Sequence, residues 1–112
     1  MTFNIAVERE AHQKENKTYH TYFIRANIRG KDVRISVMPP DTGGYRVLDI
    51  VFGNQNEATL VVTPFEIKDE SGKVIRGNSF SVQSVDEDGE IYECPIKPSR
   101  TSDKSLLNMM LK

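Results

Sequence analysis

A chain of 112 residues is one domain, long enough to bury a single core without covalent staples. Its 38% hydrophobic and 28% charged residues are those of an ordinary soluble globular domain rather than a disordered or membrane-embedded one. A net charge of -1, with an isoelectric point near 6.1, removes any overall pull toward nucleic acid or an acidic membrane surface.

The charge is mildly uneven. Residues 1–56 carry eight Lys/Arg against six Asp/Glu, and residues 57–112 carry seven against ten, so a local basic face in the first half stays open. Cys94 is the only cysteine, which rules out an intrachain disulfide and fits a reducing compartment. The N-terminus has no basic n-region or apolar h-region, and no apolar run approaches the roughly 20 residues of a membrane helix. The expectation is a cytoplasmic protein with no signal peptide and no membrane contact.

In chain order, Phe3, Ile5 and Val7 alternate with polar neighbours and read as a half-buried strand. Glu10 to Lys17 is polar and patternless and reads as a loop. Thr18 to Arg29 is the clearest strand, with Tyr22, Ile24, Ala26 and Ile28 on one face and Phe23, Arg25, Asn27 and Arg29 on the other. A tight turn at Arg29-Gly30-Lys31-Asp32 leads into alternating Val33, Ile35 and Val37, so the two runs form a β-hairpin.

Pro39 to Gly44 is a loop, because proline cannot donate to a ladder. Tyr45 to Phe52 is apolar on both faces and reads as a central strand, with a turn at Gly53 to Asn56. Ala58 to Ile67 is another strand; Pro64 inside it demands a free edge or a bend. Asp69 to Lys73 is a turn with Gly72 at its end, and Val74-Ile75 begins a return that Arg76-Gly77-Asn78 breaks before Ser79 to Val85. Asp86 to Gly89 is a hairpin loop leading to a last strand, Glu90 to Ile96. Only the tail reads as helix: Thr101 or Ser102 supplies the cap, Asp103 suits the first turn, and Leu106, Leu107, Met110 and Leu111 share one face.

Two constellations carry functional readings. The outer face of the first hairpin brings Arg25, Arg29, Lys31 and Arg34 beside Phe23. Cations hold phosphates and an aromatic stacks a base, which is how β-surface readers such as OB-folds take single strands. The plainer reading is a hairpin that shows charge on its wet face. The tail face of Leu106, Leu107, Met110 and Leu111 either covers an open side of the β body or meets a partner's groove or a second copy.

The remaining candidates favour structure over chemistry. Asp86-Glu87-Asp88-Gly89 resembles the middle of a calcium loop, but with the glycine in register the first ligand position is Ser84 and the last is Pro95, so a solvated turn is the better reading. His12 and His20 have no second cysteine to complete a metal set, and nothing in the sequence brings Cys94 to a histidine. Neither Gly43-Gly44 nor Gly72-Lys73 has phosphate-loop spacing. Asp49 is the carboxylate expected to be partly buried, paired with Arg46 or a neighbouring arginine.

The expected fold is mainly β: a small antiparallel β-barrel or sandwich of six to seven strands over residues 1–100, with a short amphipathic helix over 101–112 that packs on the domain or on a partner. An OB-like barrel is the specific alternative, and the absence of a helix between its third and fourth strands counts against it. The expected function is a non-enzymatic intracellular interaction protein, of adaptor or inhibitor type, acting through a β surface and the apolar tail. It has no catalytic residue, metal or cofactor, and its partner is another protein or a second copy. The alternative is a single-stranded nucleic-acid binder that uses Phe23, Arg25, Arg29, Lys31 and Arg34.

Overall fold

The structure, a computed structural model, describes residues 1–54 and 57–111. The strands are β1 (Thr2–Lys14), β2 (Lys17–Ile28), β3 (Lys31–Met38), β4 (Glu57–Lys68), β5 (Val74–Val85) and β6 (Ile91–Pro98); the helices are α1 (Tyr45–Asn54) and α2 (Thr101–Met110). The strands close into an antiparallel barrel in the order β1-β2-β3-β6-β5-β4. Two three-stranded meanders are thus linked through α1. The fold is mainly β, with a barrel rather than a sandwich and a short C-terminal helix.

Period-two alternation fills the barrel. Ile5 and Val7, Tyr22 and Ile24, Ile35 and Val37, Leu60 and Val62, Val82, and Cys94 and Ile96 all point inward and are buried together. The expected two faces of residues 18–29 and the hairpin to residue 37 are present, with Tyr22 opposite Val37 and Ile24 opposite Ile35. Arg29 and Gly30 both take positive φ, 53° and 83°, the backbone of a two-residue hairpin turn.

Several expectations are corrected. Tyr45 to Phe52 is helix, not strand. A 3₁₀ turn at Thr42–Gly44, capped by the Asp41 side chain, runs directly into α1, which buries Leu48, Val51 and Phe52 on one face. Those three positions also satisfy helical spacing, and an apolar run this short fits both periods. A helix therefore does lie between the third and fourth strands, which removes the argument against an OB-like barrel; the six fully antiparallel strands still differ from that fold's five. Of the expected turn at residues 53–56, Gly53 and Asn54 belong to α1, and residues 55 and 56 lie outside the described residues.

Glu10 to Lys17 is not a loop. β1 continues to Lys14 and pairs with β2 down to Lys14–Lys17 around a turn in which Glu15 and Asn16 take φ of 52° and 65°. This stretch stands clear of the core, so neither face writes an apolar pattern. Nor is the return strand broken at residues 76–78: β5 is continuous from Val74, and Gly77 sits opposite Phe65.

The β4–β5 and β5–β6 turns are built alike. Asp69 accepts at Oδ1 from the N–H groups of Ser71 and Lys73, and Asp86 accepts at Oδ1 from those of Asp88 and Glu90. Gly72 (φ 85°) and Gly89 (φ 82°) donate back to the aspartate carbonyls. The same Asp-Glu-x-Gly chemistry therefore makes two turns, and because adjacent strands are antiparallel, they lie at opposite ends of the barrel.

The seam between β3 and β6 is short, with only Val37–Pro98 and Met38–Lys97 paired. The chain continues the seam without a strand. Ser99 N–H donates to Ser36 O, Ser99 Oγ lies 2.8 Å from Ser36 Oγ, and Ser36 N–H donates to Asp103 Oδ1 of α2 at 3.0 Å. The cap residue is Arg100, in extended conformation, rather than Thr101 or Ser102, because the Ser99–Ser36 bond fixes where the chain turns into the helix. Leu107 then enters the core, with Leu106, Met110 and Leu111 packed against it.

Candidate interaction surface

The structure brings three of the five expected cationic-face residues together and pairs them off. Arg25 and Arg34 face each other across β2 and β3. Arg25 donates to Glu8 at 3.1 Å, while Arg34 donates to Glu10 at 2.6 Å and lies 3.7 Å from Glu8. The Arg34 guanidinium covers the Phe23 ring at 3.8 Å from its centroid. The Arg34 hydrogen bond holds the Glu10 carboxyl below its ordinary range. Two glutamates on the adjacent strand thus neutralise the cations, and the ring a base would stack on is occupied. Arg29 and Lys31 stand apart at the β2–β3 turn.

The four tail residues go to the protein's own core: Leu107 is buried, and Leu106, Met110 and Leu111 are partly so. Of the tail's apolar residues, Met109 is the one exposed among the described residues.

Asp49 pairs with Arg9 rather than Arg46. Arg9 Nη1 lies 3.6 Å from its carboxylate and His20 Nδ1 lies 3.8 Å away, while the Tyr22 hydroxyl donates to it in a short hydrogen bond. The guanidinium of Arg9 lies against Gly53, where a Cβ would come within 2.7 Å of it. Burial, then the Asp49 hydrogen bond and charge, push the Tyr22 phenol far above its ordinary value. These contacts fasten α1 to the β1–β2 hairpin.

The other chemical candidates are occupied locally. His12 Nε2 lies 2.8 Å from Thr21 Oγ1, and its ring stacks on Tyr19. Cys94 is buried with its thiol against the carbonyls of Gly44 and Pro95, and burial raises its pKa. Among the described residues no three His, Cys, Asp or Glu side chains are grouped to hold a metal ion, and no helix is long and apolar enough to cross a membrane.

Exposed cross-strand apolar residues stand at two places among the described residues, Val85 opposite Ile91 and the outer half of the β4–β5 hairpin, where they are more numerous. β1 pairs with β4 as far as Val61, with Val62 N–H reaching Met1 O, and β6 pairs with β5 only from Phe80. From Thr63 to Ser79 the chain is therefore a two-stranded ribbon, and every residue of β4 in it is exposed. Phe65 (42% exposed), Ile67 (55%) and Ile75 (45%) share one face, with Phe65 opposite Gly77 and Ile67 opposite Ile75. The Phe65 ring lies on Gly77, whose Cβ, were one present, would meet Cζ at 2.7 Å. The alternation that aims Val62 N–H at Met1 aims residue 64 at the same edge, and there proline removes the donor. The free-edge reading of Pro64 thus holds, with no break in the strand.

The sequence reading gave these residues no role, yet a signal was present. Inward residues of β4 are even-numbered, Leu60 and Val62; beyond Pro64 the apolar positions are odd, Phe65 and Ile67. Ile75 is likewise out of phase with Val82. A strand whose apolar phase flips has left the core that set its phase. No family model, curated protein or solved structure matches this chain.

Proposed function

We propose that the protein is a non-enzymatic interaction module of adaptor or inhibitor type, and that its recognition surface is the β4–β5 ribbon. One observation carries this reading: Phe65, Ile67 and Ile75 form an exposed apolar face on a ribbon with both edges open. An apolar surface of this kind, outside any core, marks a site of association, and open strand edges add backbone donors and acceptors to it. The apolar face of the tail packs on this chain's own core, which favours the ribbon over the tail as the recognition surface. The lone thiol of Cys94 fits a reducing compartment, and the proposal places the module in the cytoplasm.

A photo-crosslinking amino acid at Ile67 tests the reading in cells that express the protein, with the same probe at Gln13, exposed on the opposite hairpin, as control. The expected result is a discrete protein adduct from residue 67 and none from residue 13. No protein adduct from residue 67, or equal adducts from both, would overturn it.

A further inference from the structure

Resting on the ribbon as recognition surface, we infer that its partner is an extended segment of another protein, added as a strand to the free edge of β5 at Val74, Arg76 and Asn78. The first argument is the direction of the backbone groups. Asp69 N–H donates to Lys73 O, and the β4–β5 register runs without a bulge from Lys68–Val74 to Thr59–Gln83. The hydrogen-bonded pairs of this ladder are therefore the odd-numbered residues, and the N–H and C=O groups of the even-numbered ones point out of the ribbon. On β5, those of Phe80, Val82 and Ser84 meet β6, in phase with Asp86 N–H on Glu90 O. β6 leaves β5 after Ile96 and pairs with β3 from Lys97. The N–H and C=O groups of Val74, Arg76 and Asn78 continue the same row and have no partner among the described residues.

The second argument is that the two edges of the ribbon differ. The outward residues of β4 are Pro64, Glu66 and Lys68, and Pro64 takes a donor from that edge. Its cross-strand neighbour on β5 is Asn78, which keeps its N–H. No proline interrupts the β5 edge, and its cation, Arg76, is held toward β4 by Glu66 at 3.3 Å.

The third is what such an edge selects. Backbone donors and acceptors in a row at strand spacing are matched in full by another strand, and the side chains on either side of it then set its sequence. Ile75 and the Phe65 ring that covers Gly77 line one side. On the other side, a hollow of about 560 Å³ lies against Pro64, Glu66, Arg76 and Asn78. The segment that fits alternates apolar residues, beside Ile75, with polar ones, beside Arg76 and Asn78. A second copy that paired along the whole edge would set Arg76 opposite its own counterpart, and like charges directly opposite are destabilising. The strand therefore comes from a different protein.

A photo-crosslinking amino acid at Ile75 tests this in cells that express the protein, alone and combined with Asn78→Pro or Asn78→Ala. Proline removes the outward N–H and spares the protein's own ladder, whereas alanine removes only the side chain. Arg76→Pro makes the same change at the next ladder position, and circular dichroism checks that the variants fold. The expected result is an adduct with a foreign protein, kept in Asn78→Ala and lost in the proline variants. An adduct kept in all three variants, one lost in all three, or one of twice the chain's own mass would overturn the inference. Failure of both proline variants to fold would overturn it too, since their N–H groups would then be in use within the chain. An adduct from residue 67 with none from residue 75 would sink strand addition and leave the interaction module standing. No adduct from either position would remove both.

Discussion

The backbone N–H of Ser36 and the carboxylate of Asp103, 67 residues apart in the chain, are hydrogen-bonded at 3.0 Å. β6 ends at Pro98, so this ladder donor of β3 has no strand partner. A side chain from the first turn of α2 takes the place of the missing carbonyl. Asp103 is 2% exposed, and its other oxygen accepts from Arg100 Nε at 3.1 Å. The negative charge also sits at the helix N-terminus, where the dipole favours it.

Asp103→Ala leaves a buried donor unpaired and loosens the helix that carries Leu107. It is expected to cost about 2 kcal/mol or more, a fall of roughly 10 °C in melting temperature for a domain of this size. Arg100→Ala, at a side chain that is itself exposed, keeps the Asp103 bond to Ser36 and should move the melt less. Thermal unfolding of the two variants decides the matter. Equal melts for wild type and Asp103→Ala would show that the seam is not held this way.

Tyr22 imposes a pH dependence on the alkaline side. The fold holds its phenol protonated, through burial first and the neighbouring Asp49 second. The unfolded chain gives up that proton near its ordinary value of about 10. The stabilisation is therefore complete below that pH and is withdrawn as the pH rises toward the higher folded value. Melting temperatures measured on both sides of this point should fall in the wild type and fall less steeply in Tyr22→Phe. Tyr92, raised mainly by the charge of Glu90, supplies residual slope in both proteins. Parallel profiles would contradict the assignment.

The basic hairpin face is masked by Glu8 and Glu10. A labelled single-stranded oligonucleotide should show no saturable binding at low salt by fluorescence anisotropy. The Glu8→Gln/Glu10→Gln variant, which frees Arg25 and Arg34, should acquire weak, salt-sensitive binding. Wild-type binding that disappears in Arg25→Ala/Arg34→Ala would restore the nucleic-acid reading.

The barrel was legible wherever one face of a strand was dry and the other wet: Tyr22 to Ile28 and Val33 to Val37 state their register in their own alternation. Legibility failed where that contrast vanished. Residues 10–17 are wet on both faces and so resemble a loop, while Tyr45 to Phe52 is apolar enough to satisfy two periods, and its Val47, Ile50 and Val51 favour the strand. The basic face was visible as cations, but its neutralisation was not, because Glu8 and Glu10 precede Arg25 and Arg34 by 17 and 24 residues and meet them only through strand pairing. Asp103 announced its helix end and gave no hint of Ser36.

The central claim is that the β4–β5 ribbon is where this protein makes contact. Photo-crosslinking from residue 67 in cells that express the protein, with residue 13 as control, tests it most directly. The account expects a discrete protein adduct from residue 67, in the exposed ribbon, and none from residue 13. No adduct from residue 67, or equal adducts from both positions, would contradict it.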